Sequence, residues 1–379
     1  MHKHTPIAIL IASMLPALTA CVSPSGNVSG LDLPSTAQAT PQVLPTATST
    51  ALPTQGPTLT PTPSGGRIAF MHGRTIALIY ADGSGQTIIN GTTSAVPAWS
   101  PDGTKIAYVS LIFGQAESYE IYVMNGDGSN KHRLTQDTSY DFGPVWSPDG
   151  KDIAFASTSG ARRIKVTQVD GSGSREFSFP DSNCDFPKWS PDGSQLLAQC
   201  NTADYRRIVI FNLAKSPQNE AMTPIELGSA DNSNQDGSWS PNGTQIAFIS
   251  YRYVSFDNNE SITSFSLNVM DTNGSQTHAI VQRGKYIFSA KWSPDGKQIA
   301  FIEGDGGSNG IFVVDSDGSG LTQLVEKKVG EFVWSPNGQK IAFADLAAGS
   351  AGIYTVNVDG SGVRQLTHDS SDIGITWGP

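Results

Sequence analysis

One pentapeptide limits what this chain can fold into. Trp-Ser-Pro-Asp/Asn-Gly stands at Trp99, Trp146, Trp189, Trp239, Trp292 and Trp334, and a shortened Trp-Gly-Pro stands at Trp377. All 7 tryptophans of the protein occupy this one position. Successive copies lie between 42 and 53 residues apart. At such a period each copy is one supersecondary unit, which buries its apolar face only by stacking on its neighbours.

The strands follow from the alternation inside each copy. A segment ending in Trp (strand A) leads through the Ser-Pro-Asp-Gly turn to strand B, as in Lys105–Tyr108 or Gln298–Phe301. Strand C follows, as in Ile121–Met124 or Ile311–Val314, then an Asp-Gly-Ser-Gly-like turn (Asp82, Asp170, Asp317, Asp359) and a short strand D such as Arg364–Thr367. β-Branched and aromatic residues alternating between Gly, Pro and Asp are hairpin signals. The 39 Gly and 23 Pro against only 15% charged residues fit many short strands and turns. The first copy starts at strand B (Arg67–Phe70), whereas Trp377 ends an A strand with no B strand after it. These two pieces complement each other. The expectation is therefore an all-β, seven-bladed β-propeller of four-stranded antiparallel blades over residues 66–379. Its ring would be closed by the C-terminal strand pairing with the N-terminal blade, which removes exposed sheet edges.

On these repeats the chain resembles the TolB-like, WD40-like (PD40-type) β-propeller family over everything beyond residue 65. TolB itself has six blades and a further N-terminal domain, neither matched here, so the resemblance does not imply its role in the Tol–Pal system. Some extracellular peptidases and polysaccharide lyases resemble the family in carrying similar propellers. Fold alone does not choose among these activities.

The first 65 residues read differently. Lys3 between His2 and His4 precedes an apolar run, Ile7–Leu15, which is the length of a signal-peptide core and too short to span a bilayer. Leu18-Thr19-Ala20-Cys21 resembles the bacterial lipobox, which implies residues 1–20 as a lipoprotein signal peptide and lipidation of Cys21. The Thr/Pro/Ser-rich segment 21–65 has little to bury and reads as a disordered, semi-rigid tether. The expected location is the cell envelope: the outer face of the cytoplasmic membrane, or the outer membrane where there is one.

Candidate chemistry reduces to structure at most positions. One large Trp per unit suits packing between units. Asp102, Asp149, Asp192 and Asp295 sit where a turn needs a side chain that bonds its own backbone before Gly. Asp315-Ser316-Asp317-Gly318-Ser319-Gly320 with Glu326 matches a calcium loop in spacing, but within strand–turn–strand context. Gly306-Gly307-Ser308-Asn309-Gly310 fits a nucleophile elbow without the strand–turn–helix that motif needs. His132 and His278 fall in outer strands of different units. No catalytic residue, metal or cofactor is expected. Cys184 and Cys200 fall opposite one another in the A–B hairpin, consistent with a disulfide in an exported protein or with two buried thiols.

Function is expected on the B–C and D–A loops, which vary while the turns of the other face repeat. The longest is Tyr251–Ser264, with Tyr251, Arg252, Tyr253, Phe256 and Asp257; others carry Phe113 and Tyr119, or Tyr140, Asp141 and Phe142. Before strand A stand Asp141, Asp185, Asp236, Glu331 and Asp372. They read either as an acidic ring at the channel mouth for a cation or basic peptide, or as turn formers and caps. The net charge of −10 argues against nucleic acid. The reading is a non-enzymatic envelope lipoprotein, monomeric in its propeller, that touches the membrane only through its anchor and holds a protein or peptide partner. A cell-wall glycan-binding module is the alternative, and a propeller lyase or hydrolase a more distant one.

Overall fold

A computed structural model describes residues 66–379 except positions 90, 92, 94, 113–117, 159, 203–205, 214–231, 257–258 and 305–308, with 232, 252–256 and 259–263 described as backbone only. Every described residue lies within the unit Thr60–Pro379. Cys21, the 1–20 leader and the 21–65 tether therefore lie outside the described residues, as do Phe113 and Asp257.

All regular structure among the described residues is strand. The expectation of seven separate four-stranded blades is corrected by the strand pairing, which gives five blade-sized sheets and one of eight strands. Four blade-sized sheets hold four strands each. One is Asp372–Trp377, Arg67–His72, Thr75–Tyr80 and Thr87–Ile89; the next runs from Asn232–Trp239 to His278–Arg283; the others run from Tyr286–Trp292 to Thr322–Glu326 and from Val329–Trp334 to Arg364–Gln365. A fifth has three described strands, Asn183–Trp189, Gln195–Asn201 and Arg206–Asn212. In the eight-stranded sheet, one parallel bridge, Tyr119↔Tyr140, joins strand Ser118–Asn125 to strand Tyr140–Trp146 of the following repeat. A repeat period counts units but carries no information on whether a loop lets neighbouring edges hydrogen-bond.

The C-terminal strand Asp372–Trp377 pairs antiparallel with Arg67–His72, Ile68 facing Trp377 and His72 facing Asp372. Pro379 acts there as the turn prolines do elsewhere. A Cβ placed on Gly103 would stand 3.1 Å from its ring, as one on Gly193 would stand 3.6 Å from Pro148.

The B strands form the centre of the core. Ile68, Ala69 and Phe70, like Ile299, Ala300 and Phe301, are fully buried on both faces because sheets pack on either side. Four of the tryptophans close the gap to the preceding repeat with a hydrogen bond. The indole N–H of Trp146 donates to the Ala98 carbonyl (3.0 Å), that of Trp189 to Val145 (3.2 Å), that of Trp239 to Lys188 (3.1 Å) and that of Trp334 to Lys291 (3.1 Å). Packing of a large ring is thus joined to a hydrogen bond worth about 0.5–1.5 kcal/mol net.

The turns behave as the sequence suggests. Asp102 accepts from the Ser100 hydroxyl (2.6 Å) and the Thr104 amide (3.0 Å), while Gly103 takes φ +67°. The Ser100 hydroxyl, then the Thr104 donors, hold the Asp102 pKa down at about 2.

Candidate functional site

The face opposite the turns is built on a recurring defect in the A strands. Three residues before the tryptophan the pairing register shifts in most repeats. The residue at that point takes left-handed backbone: Gly143 (φ 64°), Phe186 (53°), Asp236 (57°), Ser289 (56°) and Gly374 (67°). Such a bulge leaves one residue out of the ladder and re-aims its side chain. Glycine adopts this conformation freely, whereas a bulky side chain there is strained by about 1–2 kcal/mol. Phe186 accepts that strain and is also 64% exposed, the most exposed of the large apolar residues among the described residues.

Other aromatics surround this end. Tyr140 is 45% exposed and packs on the half-buried Tyr119, their ring centroids 5.6 Å apart. Tyr286 is 44% exposed and lies 4.5 Å from the Phe265 ring. Val96 and Leu346 are exposed as well. The sequence reading missed Phe186, Tyr286, Val96 and Leu346. Counting back three residues from each tryptophan finds Val96 and Phe186, and counting back six finds Tyr286 at the position Tyr140 holds before Trp146; nothing comparable marks Leu346.

Tyr251 and Phe142 are placed otherwise than expected, and the expectation of a free loop at Tyr251–Ser264 is corrected. Tyr251–Ser264 is not a free loop: strands Gln245–Phe256 and Asn259–Asp271 pair along it, from Gln245↔Asp271 to Phe256↔Asn259. Tyr251 is buried in the core against Phe265 because strand pairing carries it inward. Arg252, Tyr253 and Phe256 are placed as backbone within that strand. Phe142 is half-buried beneath the Arg162 guanidinium, 5.1 Å away.

The acidic residues form no open ring. Asp141, Asp185 and Asp372 are buried. Asp185 accepts from Arg162 (2.7 Å), although burial still holds its pKa above the ordinary carboxylate value. Asp372 meets His72 at 2.6 Å. Asp236 pairs with Lys188 of the preceding repeat at 3.1 Å. Glu331 accepts from the amide of Gly374, and burial raises its pKa. Four of the five therefore bind strands and repeats to one another, which accounts for their position at strand starts. Asp141 differs: neither of its oxygens has a hydrogen-bond partner.

Cys184 and Cys200 face each other in register, fully buried, with their sulfurs 2.02 Å apart and their Cα atoms 4.0 Å apart. This disulfide fastens the A–B hairpin at the layer that Asp141 and Ser157 occupy in the preceding repeat.

A family model described as "TolB beta propeller domain" matches residues 50–254 and 251–379. The "Tol-Pal system protein TolB" of Hahella chejuensis is 30% identical over 76 residues, which is 20% of this chain and 18% of that protein. The match thus spans less than a fifth of the relative's length. Among solved structures, TolB from Acinetobacter baumannii is similar at a TM-score of 0.52 and 20% identity, over 80% of this chain and 79% of that one. An oligogalacturonate lyase from Vibrio parahaemolyticus is similar at a TM-score of 0.58 and 12% identity, over 81% and 87% of the two chains. At these identities the likeness to solved structures is one of fold.

Proposed function

The chain belongs to the TolB β-propeller domain family, and from that premise we propose a non-enzymatic, lipid-anchored envelope protein. Its propeller holds a protein or peptide partner on the face bearing Tyr140, Phe186 and Tyr286. The asymmetry between the two faces carries this reading. Turn aspartates on one face are saturated by their own Ser and backbone donors. The opposite face leaves large aromatic rings exposed, one of them on strained backbone. Exposed aromatics on a rigid scaffold are the usual anchors of protein interfaces. The charged residues beside them are taken up by structural pairs such as Asp185–Arg162 and Asp236–Lys188, which leaves recognition to shape and apolar contact. The lipobox-like Leu18–Cys21 supports anchoring through Cys21, with segment 21–65 as the spacer.

Site-specific photocrosslinkers at Tyr140, Phe186 and Tyr286, in the full chain within its native envelope, test the reading. Asp149 and Asp192 on the turn face serve as controls. A discrete protein adduct from the first set alone is the expected result. Adducts carrying wall polysaccharide would replace the partner reading with the glycan one, and equal labelling of both faces would overturn both. Cys21→Ser is expected to abolish fatty-acid incorporation and release the protein from the membrane fraction.

A further inference from the structure

Beyond partner binding, one buried charge lacks an account. Asp141 is 0% exposed and neither carboxylate oxygen is hydrogen-bonded. The nearest hydroxyls do not satisfy it. Thr135 donates its proton to Glu120 Oε2 (2.7 Å), and Ser157 Oγ is itself without a hydrogen-bond partner. Burial raises the Asp141 pKa to about 6, against the opposing pull of Ser157 and Thr135. A buried carboxylate with no partner for either oxygen is costly to keep charged.

Its surroundings supply the remedy. One ligand oxygen each from Glu120, Asp137 and Asp141 lies within 4.8 Å of the others. Glu120 is fully buried and meets Arg133 (2.9 Å), Ser118 (3.0 Å) and Thr135. Asp137 accepts from the Ser139 amide (2.7 Å) and Lys165 (2.8 Å). Three carboxylates therefore share two cationic side chains, and the uncompensated charge is the one on Asp141.

We propose that Glu120, Asp137 and Asp141 bind a hard divalent cation, of which calcium fits best. The donors are oxygens alone, with no His or Cys in the cluster, and calcium tolerates irregular carboxylate geometry. The expectation of no metal rested on the strand–turn–strand context of Asp315–Glu326 and on His132 and His278 falling in different units. Here Glu120 belongs to the C strand of one repeat, while Asp141 opens the A strand of the next, beside the Tyr119↔Tyr140 bridge. A bound ion would tie the two halves of the eight-stranded sheet together.

The full chain, stripped with chelator, is titrated with CaCl2, MgCl2 and MnCl2 separately, by calorimetry and by thermal unfolding. One calcium per chain is expected, with Tm rising as the ion is added. Asp141→Asn should weaken binding by at least about tenfold, since it removes ligand charge. The same variant should match or exceed the parent's Tm in chelator, so lost binding is separable from lost folding. Glu120→Gln should weaken binding in the same direction, and Asp149→Asn on the turn face should bind as the parent does. Failure of all three ions to bind one-to-one, or undiminished binding by Asp141→Asn, would overturn the assignment.

Discussion

Nδ1 of His72 lies 2.6 Å from Oδ1 of Asp372, although the two residues are 300 positions apart in the chain. They face each other across the antiparallel pair that joins the first described strand to the last. Asp372 is buried and His72 only partly so, so removing the imidazole strands a carboxylate inside the protein. His72→Ala is expected to destabilise by about 1–3 kcal/mol, the cost of a buried polar group left unpaired. His72→Gln, which keeps a donor, should recover part of this. Urea unfolding of the three proteins measures both, and a neutral His72→Ala would show that the contact contributes nothing to closure.

Much of this architecture is legible in the sequence because it repeats. Trp146, Trp189, Trp239 and Trp334 make the same indole-to-carbonyl bond, and Asp102, Asp149, Asp192 and Asp295 make the same turn. Features absent from the repeat were not legible. The Tyr119↔Tyr140 bridge that merges two repeats arises where one loop meets another. Tyr251–Ser264 has the polar composition of a loop, yet hydrogen-bonds as a hairpin. Asp141 and Asp372 look alike along the chain and differ only in what lies opposite: Ser157 for one, His72 for the other.

The Cys184–Cys200 disulfide closes a segment with a sequence separation of 16. In the chain-entropy account, a loop of this size stabilises by about 3 kcal/mol through the unfolded state. Reductant is therefore expected to lower the unfolding midpoint of the parent. It should leave a Cys184→Ala/Cys200→Ala double variant unmoved. An equal response of both proteins to reductant would assign the effect to something other than this bond.

Asp141 gives stability an acid-side signature. Its folded pKa of about 6 stands above the ordinary 3.8. For a raised carboxylate, the contribution is fully present below pH 4 and is lost as pH climbs through 6. Glu120, Asp137, Arg133 and Lys165 surround the group and set the size of the effect. With chelator present, Asp141→Asn should exceed the parent by about 2–3 kcal/mol at pH 8. That lead should shrink as pH falls below 6. Unfolding free energies of both proteins across pH 4–8 check this, and parallel curves would count against the buried, ionised carboxylate.

Phe186 separates stability from binding. Its backbone is left-handed at φ 53°, where Gly143 and Gly374 stand at the matching bulges of other repeats. Its ring is largely exposed, so removing it uncovers no core. Phe186→Gly relieves the strain of a bulky residue in this conformation, at the cost of a more flexible unfolded chain. The two effects nearly balance, and unfolding free energy should change by no more than about 1 kcal/mol in either direction. Partner crosslinking through a probe at Tyr140 should nevertheless fall sharply, because the exposed Phe186 ring is one of the anchors of the proposed face. A loss of several kcal/mol in Phe186→Gly, with crosslinking unchanged, would make the residue structural and remove it from the proposed binding face.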